Sequence, residues 1–259
     1  MLELMYINTL QLRRLLMDWW TNVCENTDFV EKVYFPTSEK RKQQWDILTN
    51  EIESILKLKQ CASILEVCCG TCAVGVSMAK RGHKVTGIDL SESMLSYGKR
   101  RADDSNVKID FLAMNAFDIQ TLEKKFDAVL FLDMAFGFMG ENEDDDVKLL
   151  SGIKKVLKDD GKLLLEVGNL DYYRNKGKLE IDGGFFKYIY KYIESDNTLI
   201  TEATVDGVDE IRRGVGRLYT DSEMKTLFQS AGFTDINNCI SAQSINESAN
   251  NPSYMLVCK

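Results

Sequence analysis

The stretch Ile64–Gly75, ILEVCCGTCAVG, constrains this chain more than any other. An apolar run of strand length meets a glycine-bearing turn, and a helical pattern follows at Ala73–Arg81 until Gly82 stops it. A second apolar run, Val85–Asp89, ends on a carboxylate. Strand, turn, helix and strand in so short a span make a βαβ unit, which demands a parallel sheet with helices over its faces. The pattern then repeats. Ser91 can cap a helix reaching Arg101, Val107–Leu112 and Phe126–Leu132 read as strands, and Asp144–Leu157 reads as a helix. Lys162–Val167 reads as a fifth strand after a turn at Asp159-Asp160-Gly161.

The turn itself, Cys69-Gly70-Thr71-Cys72, admits three readings. A redox pair needs a thioredoxin-like fold with a cis-proline opposite the thiols, and the chain has no proline between Pro36 and Pro252. A zinc site needs four ligands. Cys61 or Cys68 can add a third, but no second Cys-x-x-Cys or histidine pair closes the site, so no metal is expected. A nucleotide-binding turn fits the position best. Asp89 lies 19 residues beyond Gly70, close to the spacing of about 20 for a carboxylate that binds ribose hydroxyls. Cys72 occupies the middle glycine place of G-x-G-x-x-G, which crowds a pyrophosphate and favours a ligand without one.

The flanks follow a different grammar. Residues 2–20 and Glu39–Leu58 carry apolar side chains at helical spacing. After Gly168, Phe185–Glu194 and Thr198–Val205 look like antiparallel strands joined at Asp196-Asn197. Asp221–Ala231 reads as a helix, and Thr234–Ile240 and Tyr254–Cys258 read as the last strands. One domain over residues 1–259 is expected: a helical cap at 1–58, a core at 59–168, a strand-rich insert at 169–218, and a closing helix and strands at 219–259.

ILEVCCGTCAVGVSMAKRGHKVTGIDLSESML resembles the first two motifs of class I S-adenosylmethionine-dependent methyltransferases. Their first loop commonly reads Leu-Asp-Leu-Gly-Cys-Gly-Thr-Gly. Against it Glu66 takes the acidic place, Cys69-Gly70-Thr71 match, and Cys68 and Cys72 replace glycines. Cysteine is small enough for the turn provided neither position needs a positive φ. FDAVLFLD, IKKVLKDDGKLLLEV and RLYTDSEMKTLFQSAGF resemble the later motifs, in the family's order, so the likeness covers most of residues 36–259. It is nearest in flavour to the small-molecule enzymes of that family.

The resemblance implies a Rossmann-like, doubly wound α/β fold. Its sheet would be mostly parallel and seven-stranded, with N-terminal helices and an antiparallel insert. S-adenosylmethionine would be the cofactor and S-adenosylhomocysteine the product. Glu66 would hold the turn or reach the methionine ammonium through water, Gly70 would let the backbone approach, and Asp89 would take the ribose. Leu90 and Met94 would border the adenine. Asn115, standing where the family usually has Asp, would line its edge with Ala116 and Phe117. Leu132 closes the list at the fourth strand, and Arg41 would pair with the cofactor carboxylate.

Asp133, at the end of that strand, sits where such sheets place ligands, and with Tyr219 it is the candidate catalytic group. Trp20, Tyr34, Phe136, Tyr172 and Arg217 are candidates for the acceptor side. The strands at Phe185–Val205, with Arg217 and Tyr219, would wall the acceptor pocket. His83, the only histidine, reads as a surface residue in a turn.

The net charge of -8 disfavours nucleic acid as partner and leaves a small soluble acceptor as the expectation. An RNA or protein methyltransferase, or a cofactor-binding protein without transferase activity, is the alternative. No run approaches the roughly 18 apolar residues of a membrane span. Glu3, Arg13 and Arg14 spoil a signal peptide, so a cytoplasmic monomer or homodimer with reduced thiols is expected.

Overall fold

The computed structural model describes Val30, residues 39–184, 186–234 and 251–259. Helix α1 (Glu39–Leu56) leads into β1 (Ser63–Val67), α2 (Ala73–Lys80), β2 (Lys84–Asp89), α3 (Glu92–Asp104) and β3 (Ile109–Ala113). After a 3-10 turn at Ala116–Thr121 come β4 (Phe126–Phe131), α4 (Glu143–Val156) and β5 (Leu157–Gly168). Then follow α5 (Leu170–Lys176), β6 (Lys178–Asp182), β7 (Phe186–Ile193), β8 (Thr198–Val205), β9 (Val208–Arg217), α6 (Asp221–Ser230) and β10 (Ser253–Cys258).

The central sheet runs β10-β5-β4-β1-β2-β3, parallel except for β10, which is antiparallel to β5. All five residues of β1 are buried, as a strand covered on both faces requires. The period of two sorts neighbouring residues onto opposite faces. Leu65, Val67, Val129, Phe131 and Leu165 pack with Leu149, Ile153 and Phe228 beneath α4 and α6. Ile64, Ala128, Leu130 and Leu164 pack with Ile52, Leu56 and Met78 beneath α1 and α2. The chain winds outward from β1 to β3 and returns to β4, so the crevice between β1 and β4 is the switch point where such sheets bind ligands.

Helix starts follow the sequence closely. Ser91 caps α3 by accepting from the Met94 amide at 3.2 Å. Asn142 caps α4, whose first turn is wholly acidic, and Thr220 and Glu223 form a capping box on α6.

Several expectations need correcting. The sheet has six strands among the described residues, not seven. The expected strand Thr234–Ile240 lies, beyond Thr234, outside the described residues, as does the expected helix at 2–20. β5 runs through Asp159-Asp160-Gly161, where a register irregularity opposite Phe126 replaces the turn. The insert holds four antiparallel strands in the order β6-β7-β8-β9, not two. β6 alternates polar and apolar residues, KLEID, but over only five residues at an exposed edge, too short a run to mark a strand by itself. His83 is buried, with its Nε2 2.9 Å from Glu53 Oε1 on α1, so its place is structural. No helix among the described residues is long and apolar enough to cross a membrane.

Candidate active site

The turn after β1 is hung on β2 by its backbone. Cys69 N–H donates to the Ile88 carbonyl at 2.9 Å, and Gly70 N–H donates to Asp89 Oδ2 at 2.8 Å. Cys68, Gly70 and Cys72 all lie in the left-handed region, at φ of 53°, 51° and 53°. The condition under which cysteines replace glycines at no cost is therefore not met. Each of the two left-handed cysteines costs about 1–2 kcal/mol relative to an unstrained residue. Gly70 has a further reason to be glycine, since a Cβ there would meet Met94 Cε at 3.1 Å.

What Cys72 gains is burial and a bond. Its thiol donates to Glu66 Oε2 at 3.2 Å, and the same oxygen accepts from Gly75 N–H at 2.8 Å. The sulfurs of Cys69 and Cys72 both rest over Gly87, where a Cβ would lie 2.9 Å and 3.3 Å from them. Burial pushes the Glu66 carboxyl up to about 7, against the lowering by those two bonds. Asp133 adds to the rise, and Arg101 opposes it.

Asp89 spends one oxygen on each side of the bend. Oδ2 takes Gly70, and Oδ1 takes the Ser91 amide at 2.9 Å. Burial raises its pKa above the usual carboxylate range. A carboxylate offers about four acceptor positions, so both oxygens retain capacity for hydroxyl donors. Leu90, directly after it, is 58% exposed, and Met94 is buried beneath the turn. Asn115 Oδ1 accepts from Phe117 N–H at 3.0 Å and so caps the 3-10 turn. Its carboxamide is exposed, Ala116 is buried, Phe117 is half-buried, and Leu132 is buried at the end of β4.

Arg101 was missed by sequence reasoning. From α3 it lies over the Trp45 ring, 4.4 Å from the centroid, and reaches Thr71 Oγ1 at 3.2 Å. Burial lowers its pKa to about 10. A clamp between α1, α3 and the turn leaves no local signal in the chain.

On the other side of the crevice, Asp133 and Met134 are consecutive left-handed residues, at φ of 60° and 55°. Asp133 N–H donates to Glu166 Oε2 at 2.9 Å, and Ser253 Oγ donates to Glu166 Oε1 at 2.6 Å. Strain of this kind persists where the surroundings over-determine it. Behind the loop the structure builds a latch. Gly137 accepts from Arg217 N–H at 2.9 Å, and a Cβ at Gly137 would strike the Arg217 carbonyl. Arg217 pairs with Glu143 and, at 2.7 Å, with Glu223.

Tyr219 is buried with its hydroxyl donating to buried Asp146, and Phe136 is buried against Phe131 and Tyr219. Tyr219 and Phe136 are thus core residues, and Arg217 is held by carboxylates of α4 and α6. The three residues expected at the catalytic and acceptor side, Tyr219, Phe136 and Arg217, lie together, lining one small cavity with Val167, Gly168, Leu218 and Met224.

Tyr172 is half-buried on α5 and begins an aromatic row. Its ring meets Tyr173 at 5.2 Å, Tyr173 meets Tyr190 at 5.6 Å, Tyr190 stacks on Tyr188 at 6.2 Å, and Tyr188 meets Phe186 at 5.4 Å. The alternation FKYIYKYI at residues 186–193 was the available signal for Tyr188 and Tyr190. Trp20 and Tyr34 lie outside the described residues. Arg41 falls on the first turn of α1, and its side chain lies outside them too.

Residues 64–161 match the family model described as a methyltransferase domain. The chain is 33% identical over 123 residues to YqeM of Bacillus subtilis (strain 168), provisionally named a methyltransferase, over 48% of each chain. It is 30% identical over 143 residues to the demethylmenaquinone methyltransferase of the same organism, over 53% of this chain and 58% of that one. The chain thus spans about half the length of these curated relatives. Among solved structures, an S-adenosylmethionine-dependent methyltransferase from Clostridium acetobutylicum ATCC 824 shares the fold with a TM-score of 0.69 at 14% identity, over 90% of this chain and 96% of that one.

Proposed function

We propose that this chain, whose residues 64–161 match a methyltransferase-domain family model, is a class I S-adenosylmethionine-dependent methyltransferase that transfers a methyl group to nitrogen or oxygen of a small soluble acceptor. The observation that carries this reading is the join between Gly70 and Asp89. One carboxylate fixes the turn and keeps acceptor capacity beside an exposed Leu90, which suits a ribose next to a flat base. The cofactor fits these residues: a Cβ on Gly70 would crowd Met94 Cε at 3.1 Å, so glycine keeps that part of the turn open.

When bound, S-adenosylmethionine supplies a methyl group made electrophilic by a sulfonium. Asp89 would accept from the ribose hydroxyls, with Leu90, Asn115, Ala116 and Phe117 bordering the base. Glu66 holds the turn through Gly75 and Cys72, and Arg101 holds it through Thr71. Asp133 would receive the acceptor's proton. Much of the acceleration comes from holding the acceptor in line with the methyl group, which needs no further reactive side chain. The insert at residues 169–218 would wall the acceptor side.

Titration calorimetry tests the reading. Binding of S-adenosylmethionine and S-adenosylhomocysteine with little binding of NAD is the expected result. Tight NAD binding with no response to S-adenosylmethionine would overturn it.

A further inference from the structure

The antiparallel sheet separates its residues by chemistry. Pairing places Leu179 and Ile181 of β6 beside Tyr190 and Tyr188 of β7, and these beside Thr201 and Ala203 of β8. Phe186 and Tyr192 share that face with Val205 and Leu199. The opposite face takes Lys178, Glu180, Lys187, Lys191, Glu202 and Arg213, tied by ion pairs such as Lys187–Glu180 at 2.9 Å. On β6, β7 and β8 the aromatic face carries no charged residue; on β9 Gly214 and Gly216 share it, and Arg212 stands at its register position opposite Ala203.

That face grades from an open rim to a closed base. Ile181 is 43% exposed, Phe186, Tyr188 and Tyr190 are half-buried, and Tyr173 and Leu199 are buried. The closed end meets the crevice of the parallel sheet. Met134, Tyr172 and Tyr190 all pack against the buried cluster of Leu170, Tyr173, Leu199 and Leu218, and the Tyr173 hydroxyl lies 3.9 Å from Met134 Sδ. Met134 follows Asp133, whose amide is held by Glu166. The carboxylates at this end are Asp133 and Glu166, while the cations lie on the α5 side, Lys176 Nζ 5.8 Å from the Tyr172 ring and Arg174 beside Tyr192. Tyr190 is pushed up to about 12 by burial and then by Tyr188 and Asp133, so it stays neutral.

We propose that the acceptor is a cyclic amine whose ring lies along Tyr188 and Tyr190 and whose nitrogen reaches Asp133. This rests on the methyl-transfer reading above and deepens it. Aromatic faces favour flat rings, and an ammonium is attracted both to aromatic faces and to carboxylates. An amine arrives as the ammonium, gives one proton to the Asp133 carboxylate, and attacks the methyl carbon with the freed lone pair. The carbon–sulfur bond breaks, its electrons stay on sulfur, and the positive charge passes from sulfonium to the methylated amine. A hydroxyl acceptor would have to develop negative charge between Asp133 and Glu166, which like-charge repulsion opposes.

A panel of amino sugars and arylmethylamines, each paired with its hydroxyl counterpart, tests this with methyl-labelled cofactor. Label is expected in amines, with each hydroxyl counterpart slower by about tenfold or more, a difference of about 1.4 kcal/mol. Tyr188→Ala and Tyr190→Ala should raise the acceptor KM by about tenfold with the cofactor Kd unchanged, and Tyr190→Phe should restore most of it. Asp133→Asn should lower kcat more than it raises KM. Equal or faster methylation of the hydroxyl compounds, or bound cofactor with no amine labelled, overturns the proposal. The parent protein alone decides that point, even if a tyrosine variant fails to fold. Failure to bind cofactor at all strikes the methyl-transfer reading first and takes this inference with it.

Discussion

At the edge of the parallel sheet the main chain does the holding, whereas on the face of the antiparallel sheet the side chains do. The turn at residues 68–72 is shaped by left-handed backbone, by amides given to Ile88 and Asp89, and by a glycine whose Cβ would crowd Met94. The aromatic row at Phe186–Tyr190 sits on ordinary extended backbone and owes its character to which residues alternate there. A site made of backbone tolerates few substitutions and suits a ligand that never changes. A site made of side chains on a regular strand is rewritten one residue at a time, which suits a partner that differs between related enzymes.

The largest expected effect breaks the backbone side. Asp89→Ala removes the anchor of Gly70 and the proposed acceptor for ribose, and should cost about 2–4 kcal/mol of cofactor binding. Calorimetry reads the loss, with circular dichroism confirming an intact fold. Unchanged binding would place the ribose elsewhere.

Next in size is a pH effect on the same turn. Glu66 titrates at about 7 in the fold and near 4.5 when unfolded. Its protonated form is favoured by folding, so its contribution is fully present below the unfolded value and is lost as pH rises through about 7. The change is of order 3 kcal/mol for a fully buried group. Urea unfolding at pH 5 and pH 8 should show that slope in the parent, and Glu66→Gln should flatten it. A parent with no slope would mean that Glu66 is ionised throughout.

The latch behind the Asp133 loop offers a smaller test. Tyr219→Phe leaves buried Asp146 short of a donor, and should cost about 1–3 kcal/mol of stability while cofactor affinity stays put. A loss of turnover with stability unchanged would return Tyr219 to the catalytic side.

The smallest effect sharpens the comparison most. Cys68→Gly relieves a left-handed cysteine against the loss of a half-buried thiol 3.4 Å from Met139 Sδ and a more flexible unfolded chain, and should gain at most about 0.5–1 kcal/mol. Cys72→Gly relieves the same strain but loses a buried thiol and the bond to Glu66, so no gain is expected. Chemical denaturation of the two variants side by side separates strain from packing.

The sequence was legible where the signal is local. The β1–turn–α2–β2 unit, the Ser91 cap and the position of Asp89 all follow from spacing within a few residues. What was not legible depends on partners far along the chain. Tyr219 belongs to the core because Asp146, 73 residues away, takes its hydroxyl. His83 is buried because Glu53 lies across from it on α1, and Arg101 matters because Trp45 lies under it. β6 and β9 escaped because edge strands rich in charge look like loops until the neighbouring strand is in place. The left-handed cysteines were hidden because dihedral angles are not written in residue type.

The hydrogen bonds that run from Ser253 through Glu166 to the Asp133 amide have a consequence for the chain as it is made. Ser253 lies 87 residues beyond Glu166, on a strand that joins the sheet edge from the far side of the insert. On the ribosome, β1, the turn and β2 emerge early and can pair at once. The carboxylate side of the crevice waits until β10 has left the exit tunnel and docked. The two sides of the crevice are thus completed at different points along the chain, one by a contact 19 residues apart and the other by one 87 residues apart.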